Sequence, residues 1–397
     1  MISEKMVDLV ANSSVIRAMF EEGKQMAAKY GAENVYDFSL GNPSVEPPQE
    51  IKDAIVEIVE QEKPMLVHGY MSNSGYEDVR GTVAEFLNKT HGTNFGAHNI
   101  LMTVGAAGGL NVILKTLLNP GDEVIVFAPF FGEYRNYVKN YDGTLVVVPA
   151  NTQNFQPDLK EFAKALSEKT KAVIVNTPNN PTGVVYSEKT IMAMSELMYK
   201  AQDAFGTSIY LIADEPYREL VYDGLEVPYL TKYYENTIVG YSYSKSLSLP
   251  GERIGYLVMP DELEDGDVIR EAANVANRIL GFVNAPSLMQ RVVGKCINAS
   301  VDVEIYNRNR ELLYGTLSEY GYEMVKPQGA FYLFIKALEE DDKAFVQRAK
   351  KYNLLLVPGS SFGCAGYVRL AYCVDYNMIQ RALPAFKKLA EEYKEAE

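Results

Sequence analysis

The chain has 397 residues, 47% hydrophobic and 23% charged, a length and composition that suit a soluble protein of two domains rather than one core. Its 52 acidic residues outnumber 38 basic ones, and the formal net charge of −14 repels phosphate backbones and anionic lipid, so nucleic acid and membrane surfaces are excluded as expected partners. The three cysteines, Cys296, Cys364 and Cys373, have neither the even count of a disulfide framework nor metal-ligand spacing; they are expected as reduced core residues, with no metal bound.

Taken in order, the first segment carries acidic Glu4 and Asp8 and no sustained apolar block, so neither a signal peptide nor a membrane span is expected and the compartment is read as cytoplasmic. This segment, residues 1–45, closes on Leu40-Gly41-Asn42-Pro43 and is expected to pack with a small C-terminal unit. Residues 46–290 then repeat one rhythm, in which a short β-branched run ends in a polar or glycine-rich turn before a helix-like stretch. The runs Ile100–Val104, Glu123–Phe127, Thr144–Val148, Ala172–Val175, Tyr210–Ala213 and Thr237–Tyr241 predict buried strands. The fold class is therefore α/β, with a mostly parallel central sheet flanked by helices and a smaller α/β domain. That smaller domain, residues 291–397, is expected to follow one long helical stretch from Ser287 to about Glu319 and to hold strands at Gly329–Ile335 and Tyr367–Tyr372.

Ligands of such sheets sit beyond the carboxyl ends of the strands, so the residues just after each run are candidates. Lys245 follows one run within Ser242-Tyr243-Ser244-Lys245, and Arg253 follows eight residues later within Pro250-Gly251-Glu252-Arg253-Ile254-Gly255. A Schiff-base lysine must spend time neutral at a fixed strand end, and a guanidinium nearby can grip a phosphate through a bidentate fork. Gly105–Gly109 opens a helix after another run, where free backbone amides and the helix dipole favour an anion. Each motif also has a plainer reading. Lys245 and Arg253 can be surface charges, Asp214 a helix cap, Asn-Pro-Thr-Gly a turn, Phe131 a core ring and Arg369 an edge charge.

Together, however, the motifs resemble the class I and II aminotransferases, pyridoxal-phosphate enzymes of the aspartate-aminotransferase fold (fold type I), in the same order along nearly the whole chain. The resemblance implies pyridoxal 5'-phosphate held as a Schiff base on Lys245, with Asp214 of Ala-Asp-Glu-Pro-Tyr paired to the pyridine nitrogen. It implies Tyr217 and Asn180 at the phenolic oxygen, Phe131 stacked on the ring, and the amides of Ala106 and Ala107 with Ser242, Ser244 and Arg253 on the phosphate. Many relatives carry a hydroxyl or amide side chain where this chain has alanine, which shifts more of the phosphate grip to the serines and Arg253. Arg369 of Tyr-Val-Arg-Leu matches the arginine for the substrate α-carboxylate, and Gly41 the small residue that closes over it. Tyr70, in His-Gly-Tyr, resembles the tyrosine that reaches a neighbouring subunit's phosphate, which implies a homodimer with shared sites.

The expected activity is transfer of an amino group from an L-amino acid to a 2-oxo acid such as 2-oxoglutarate, with the freed Lys245 amine as the proton carrier. Three other classes are weighed. A serine penicillin-binding reading of Ser-x-x-Lys lacks its companion motifs, and a transcription regulator has no residues left for a DNA-binding domain. A lyase or decarboxylase on the same scaffold stays open, because the cofactor residues are common to all. An aspartate-specific enzyme needs a second cation for the distal carboxylate. One family position for it is Ala107 here, and the other falls near Leu280, where Arg278 is the close guanidinium. With 28 tyrosines in the chain, and Phe131, Phe362 and Tyr70 as expected pocket walls, neutral or aromatic donors are favoured.

Overall fold

The computed structural model describes residues 2–11 and 15–395. Twelve strands are present among them: β1 Tyr36–Asp37, β2 Ile100–Thr103, β3 Glu123–Phe127, β4 Thr144–Val148, β5 Thr170–Asn176, β6 Tyr210–Asp214, β7 Thr237–Ser242, β8 Gly255–Val258, β9 Tyr332–Lys336, β10 Leu354–Leu355, β11 Val357–Pro358 and β12 Tyr367–Ala371. Seven form the central sheet in the order β2-β8-β7-β6-β5-β3-β4. Its pairs are parallel except those made by β8, which runs against both neighbours.

Alternation of side chains across the strands explains why these runs are apolar throughout. Ile125, Val173, Leu211 and Val239 enter one core, whereas Val124, Ala172, Ile212 and Ile238 enter another on the opposite face. Both faces are covered by helices, so neither residue parity can be polar. Strand β8 escaped the sequence reading. It is four residues long and follows β7 after a connection that holds only the turn Tyr243–Ser246 and the 3-10 turn Pro250–Glu252, with no crossover helix, and it returns antiparallel.

The second unit is built on β9, β11 and β12, an antiparallel sheet in the order β11-β12-β9, with β1 paired parallel to β10 beside it. Phe38 from the N-terminal segment joins Leu333, Leu355, Leu370 and Phe386 in its core. The long helix expected from Ser287 to Glu319 is a correction, because the stretch is two helices, Ser287–Lys295 and Glu304–Tyr320. The reason lies in packing. Met289, Val292 and Val293 of the first helix enter the large core, and Tyr306, Leu313 and Leu317 of the second enter the small one. A single straight helix could not face both cores, and the chain turns between them, where the Val301 amide donates to the Ser246 carbonyl at 3.0 Å. The strand expected at Gly329–Ile335 begins only at Tyr332.

Candidate active site

The carboxyl ends of β5, β6 and β7 and the start of the helix Gly105–Leu117 converge on a cavity of about 480 Å³. Lys245, Asp214, Tyr217, Asn180, Phe131, Ala106, Ala107, Ser242, Ser244, Arg253, Arg369 and Gly41 all line it. Tyr70 does not; it is 95% exposed on the outer surface of the chain. Of the three aromatic walls expected for the substrate, only Phe131 faces the cavity. Phe362 is fully buried beneath the Arg369 guanidinium, 5.0 Å from its ring centre, and Leu40, Leu110, Tyr137 and Tyr332 supply the remaining apolar wall. Arg278 is exposed on the helix Gly266–Ile279 and is not among the lining residues.

Lys245 sits in the single turn Tyr243–Ser246 that caps β7, where the Ser242 hydroxyl accepts from the Ser244 amide at 3.1 Å. Its Nζ donates to the Gly41 carbonyl at 2.8 Å, lies 5.3 Å from the centre of the Phe331 ring and meets no carboxylate. Burial, helped by the charges of Arg369 and Arg253, lowers its pKa to about 8. A sizeable neutral fraction is therefore present near neutrality, as a nucleophilic or proton-carrying amine requires.

Asp214 ends β6. Its Oδ2 accepts a hydrogen bond from the Tyr134 hydroxyl at 2.5 Å, and its backbone carbonyl accepts from the Asn176 side chain at 2.8 Å. Its other oxygen, Oδ1, is buried without a partner, and burial pushes the carboxyl up to about 6 despite the Tyr134 bond. A carboxylate oxygen left dry and unpaired costs roughly 1–3 kcal/mol or more, so its position calls for a cationic or N–H partner in the cavity.

Arg369, on β12, is 1% exposed and has no carboxylate partner. Its guanidinium donates to Asn180 Oδ1 at 3.1 Å and to the Ser39 carbonyl, while Nε is left unpaired and burial lowers its pKa. The Tyr332 ring lies under it at 4.5 Å, and the Tyr332 hydroxyl pairs with that of Tyr217 at 2.9 Å. A buried guanidinium held only by neutral acceptors is a receptor for an anion. Gly41 fits tightly here, since a Cβ on it would lie 2.0 Å from the Tyr332 hydroxyl.

The third cation, Arg253, reaches over the start of the helix Gly105–Leu117. Gly105 has φ +67°, which favours glycine, and a Cβ there would also meet Arg253 Nη2 at 2.8 Å, so a larger residue would displace the guanidinium. The helix start, Arg253 and the bonded pair Ser242–Ser244 (2.7 Å) form one polar rim. These features fit pyridoxal phosphate. An orphaned carboxylate oxygen matches a protonated ring nitrogen, a partly neutral lysine matches an aldehyde, and the rim with its guanidinium matches a phosphate.

Three contributors were missed in the sequence: Tyr134, Tyr332 and Asn176. Asn176 directly follows the run Ala172–Val175, a strand-end position, whereas the tyrosines have buried rings of which only the hydroxyls reach the site.

The descriptor "Aminotransferase class I and II" matches residues 33–386 of the chain. A crystal structure of an amino transferase from Eubacterium rectale superposes with a TM-score of 0.97 at 49% identity, covering 99% of each chain. A probable aspartate/prephenate aminotransferase of Thermus aquaticus is 31% identical over 88% of this chain and 89% of its own length. Aromatic-amino-acid aminotransferase 2 of Thermococcus litoralis is 30% identical over 97% of each. All three carry aminotransferase names, which weighs against the lyase or decarboxylase alternative. With the family match spanning most of the chain and the cavity built from the expected strand ends, this protein is a member of the class I and II aminotransferase family.

Proposed function

We propose that this aminotransferase uses pyridoxal 5'-phosphate on Lys245 and takes neutral or aromatic L-amino acids as donors, with 2-oxoglutarate as acceptor. The observation that carries the reading is the pairing, in one cavity, of a lysine whose pKa falls to about 8 with a fully buried arginine that has no anionic partner. When bound, the cofactor supplies an aldehyde for the amino group and a ring that delocalises the electrons of the broken Cα–H bond. Asp214 would hold the ring nitrogen protonated, Asn180 and Tyr217 would serve the phenolic oxygen, and Phe131 would pack against the ring. Ser242, Ser244, Arg253 and the amides of Ala106 and Ala107 hold the phosphate.

Arg369 takes the substrate α-carboxylate and so fixes which Cα bond is presented, with Gly41 leaving the space above it. Lys245 Nζ then accepts the Cα proton and carries it across the same face. The apolar walls of the cavity exclude water from that transfer.

Residues 1–45 with 291–397 act as the small substrate-facing unit and 46–290 as the cofactor unit; the core that joins Phe38 to Leu333, Leu370 and Phe386 supports this division, although Val292, Val293 and Cys296 pack into the larger core. The reading includes a homodimer in which Tyr70 reaches the other subunit's phosphate, supported by the exposure of Tyr70 together with Met65 and Leu66. A cytoplasmic location accords with three buried free cysteines, and no helix among the described residues is long and apolar enough to cross a membrane.

For the donor, relatives named for aspartate/prephenate and for aromatic amino acids point in two directions. The cavity favours the second. Besides Lys245, its lining cations are Arg253 and Arg369, and position 107 is alanine. A donor panel with 2-oxoglutarate, scored as kcat/KM, tests this. Aspartate exceeding every neutral donor by about a hundredfold, roughly 2.7 kcal/mol, would overturn the assignment.

A further inference from the structure

A second cavity, of about 140 Å³, lies against the turn that carries Lys245, and its lining residues are distinct from those of the active site. Glu219 faces it with a carboxylate whose Oε2 is buried and has no hydrogen-bond partner. Tyr243, 5% exposed, brings a hydroxyl that is likewise unpartnered. The Tyr241 hydroxyl also reaches the cavity, where it donates to Ser246 Oγ at 2.7 Å and stands close enough to the Glu219 carboxyl to interact with it. Exposed Asn298 and Ser300 stand at the mouth, in the turn between the two helices that meet here.

The wall therefore presents a carboxylate and phenol oxygens to one another with no positive charge among them. The nearest cation in sequence, Arg218, is committed to Glu215 at 2.6 Å and to the carbonyls of Val227 and Pro228. Burial raises the Glu219 carboxyl to about 7 and lifts both phenols, so the tyrosines are neutral oxygen donors. Dry oxygen atoms arranged in this way gain most from a hard cation placed between them.

We propose that this cavity binds a monovalent metal cation, potassium or sodium, on the Glu219 carboxylate and the hydroxyl oxygens of Tyr241 and Tyr243. One carboxylate, releasing its proton to solvent as the ion binds, balances a single charge. A divalent ion draws on more, and among the described residues no group of three or more His, Cys, Asp or Glu is placed to hold one. The volume admits a cation with a few waters. Tyr243 and Ser246 bracket Lys245 in its one turn, and the Val301 amide ties the far wall to the Ser246 carbonyl at 3.0 Å. The cation thus braces the reactive lysine from behind, without touching substrate.

The test compares the holoenzyme in potassium, sodium and choline chloride at equal ionic strength, reading thermal midpoint and kcat. The wild type is expected to gain several degrees and a severalfold rise in kcat, saturating with potassium or sodium and absent with choline. Glu219→Gln, which keeps the shape and removes the charge, is expected to lose the response while staying folded in choline. Tyr243→Phe is expected to shift saturation to higher concentration, and it serves if Glu219→Gln does not fold. Crystals soaked in thallium(I) should show an anomalous peak beside Glu219. A wild type indifferent to the cation, a Glu219→Gln enzyme that responds like the wild type, or an empty cavity in thallium-soaked crystals would each overturn the proposal.

Discussion

Asp214 and Arg369 carry opposite charges in the same dry cavity, yet no ion pair joins them, and each keeps an unpaired atom. That separation keeps one carboxylate and one guanidinium available for ligands. Lys245→Ala is expected to remove the visible absorption band of the purified holoenzyme and its turnover together, and normal turnover in that variant would end the cofactor assignment. Asp214→Asn should retain cofactor and lower turnover by on the order of 10²–10⁴-fold. The same carboxyl predicts a pH effect on the cofactor-free protein. Its folded pKa of about 6 lies above the 3.8 of a free aspartate, so the folded state binds the proton more tightly than the unfolded one. Its contribution therefore falls as pH rises through that window, by about 3 kcal/mol once the group is fully ionised. Thermal midpoints of the apo forms should show wild type losing ground to Asp214→Asn between about pH 4 and pH 7, and parallel curves would contradict it. Lys245 and Asp214 were legible in the sequence because strand-end position and motif both marked them, and Arg369, in the middle of β12, through its match to the family motif alone. Tyr134 and Tyr332 were not, since nothing in a local pattern distinguishes a packed ring from one whose hydroxyl crosses to another element.

At the level of elements, the strands were legible wherever burial on both faces forced an unbroken apolar run. Strands β3 and β4 have the bounds their composition predicts, whereas β8 and the paired helices Ser287–Lys295 and Glu304–Tyr320 depend on contacts distant in sequence. Which core a helix faces is a tertiary fact, and the 3.6-residue period continues across the break without announcing it. The helix start at Gly105 yields a sharper test. Gly105→Ala forces an L-residue to a positive φ, at a cost of about 1–2 kcal/mol, and pushes against Arg253. Weaker affinity for the cofactor is expected, with a smaller loss for pyridoxal lacking its phosphate. Equal losses for the two would show that the residue does not serve the phosphate rim.

For the whole molecule, the exposed Tyr70 makes assembly a measurable part of the site. Sedimentation at assay concentration should give a dimer, and Tyr70→Phe should weaken cofactor binding without dissociating it. A fully active monomer would remove Tyr70 from the site. The formal charge of −14 adds that salt screening should ease, not hinder, the approach of acidic substrates. Arg369, finally, is anchored in three places: its backbone belongs to β12 of the small sheet, while its side chain is held by Asn180 beyond β5 and by Ser39 of the N-terminal segment. A group suspended in this way works as an alignment gauge. Volume-conserving substitutions deep in the small core, Leu370→Met for example, that tilt β12 by a fraction of an ångström should weaken substrate capture while costing little in melting temperature. Drift accumulated in that distant packing then appears first as a change in appetite for the substrate, with the fold still intact.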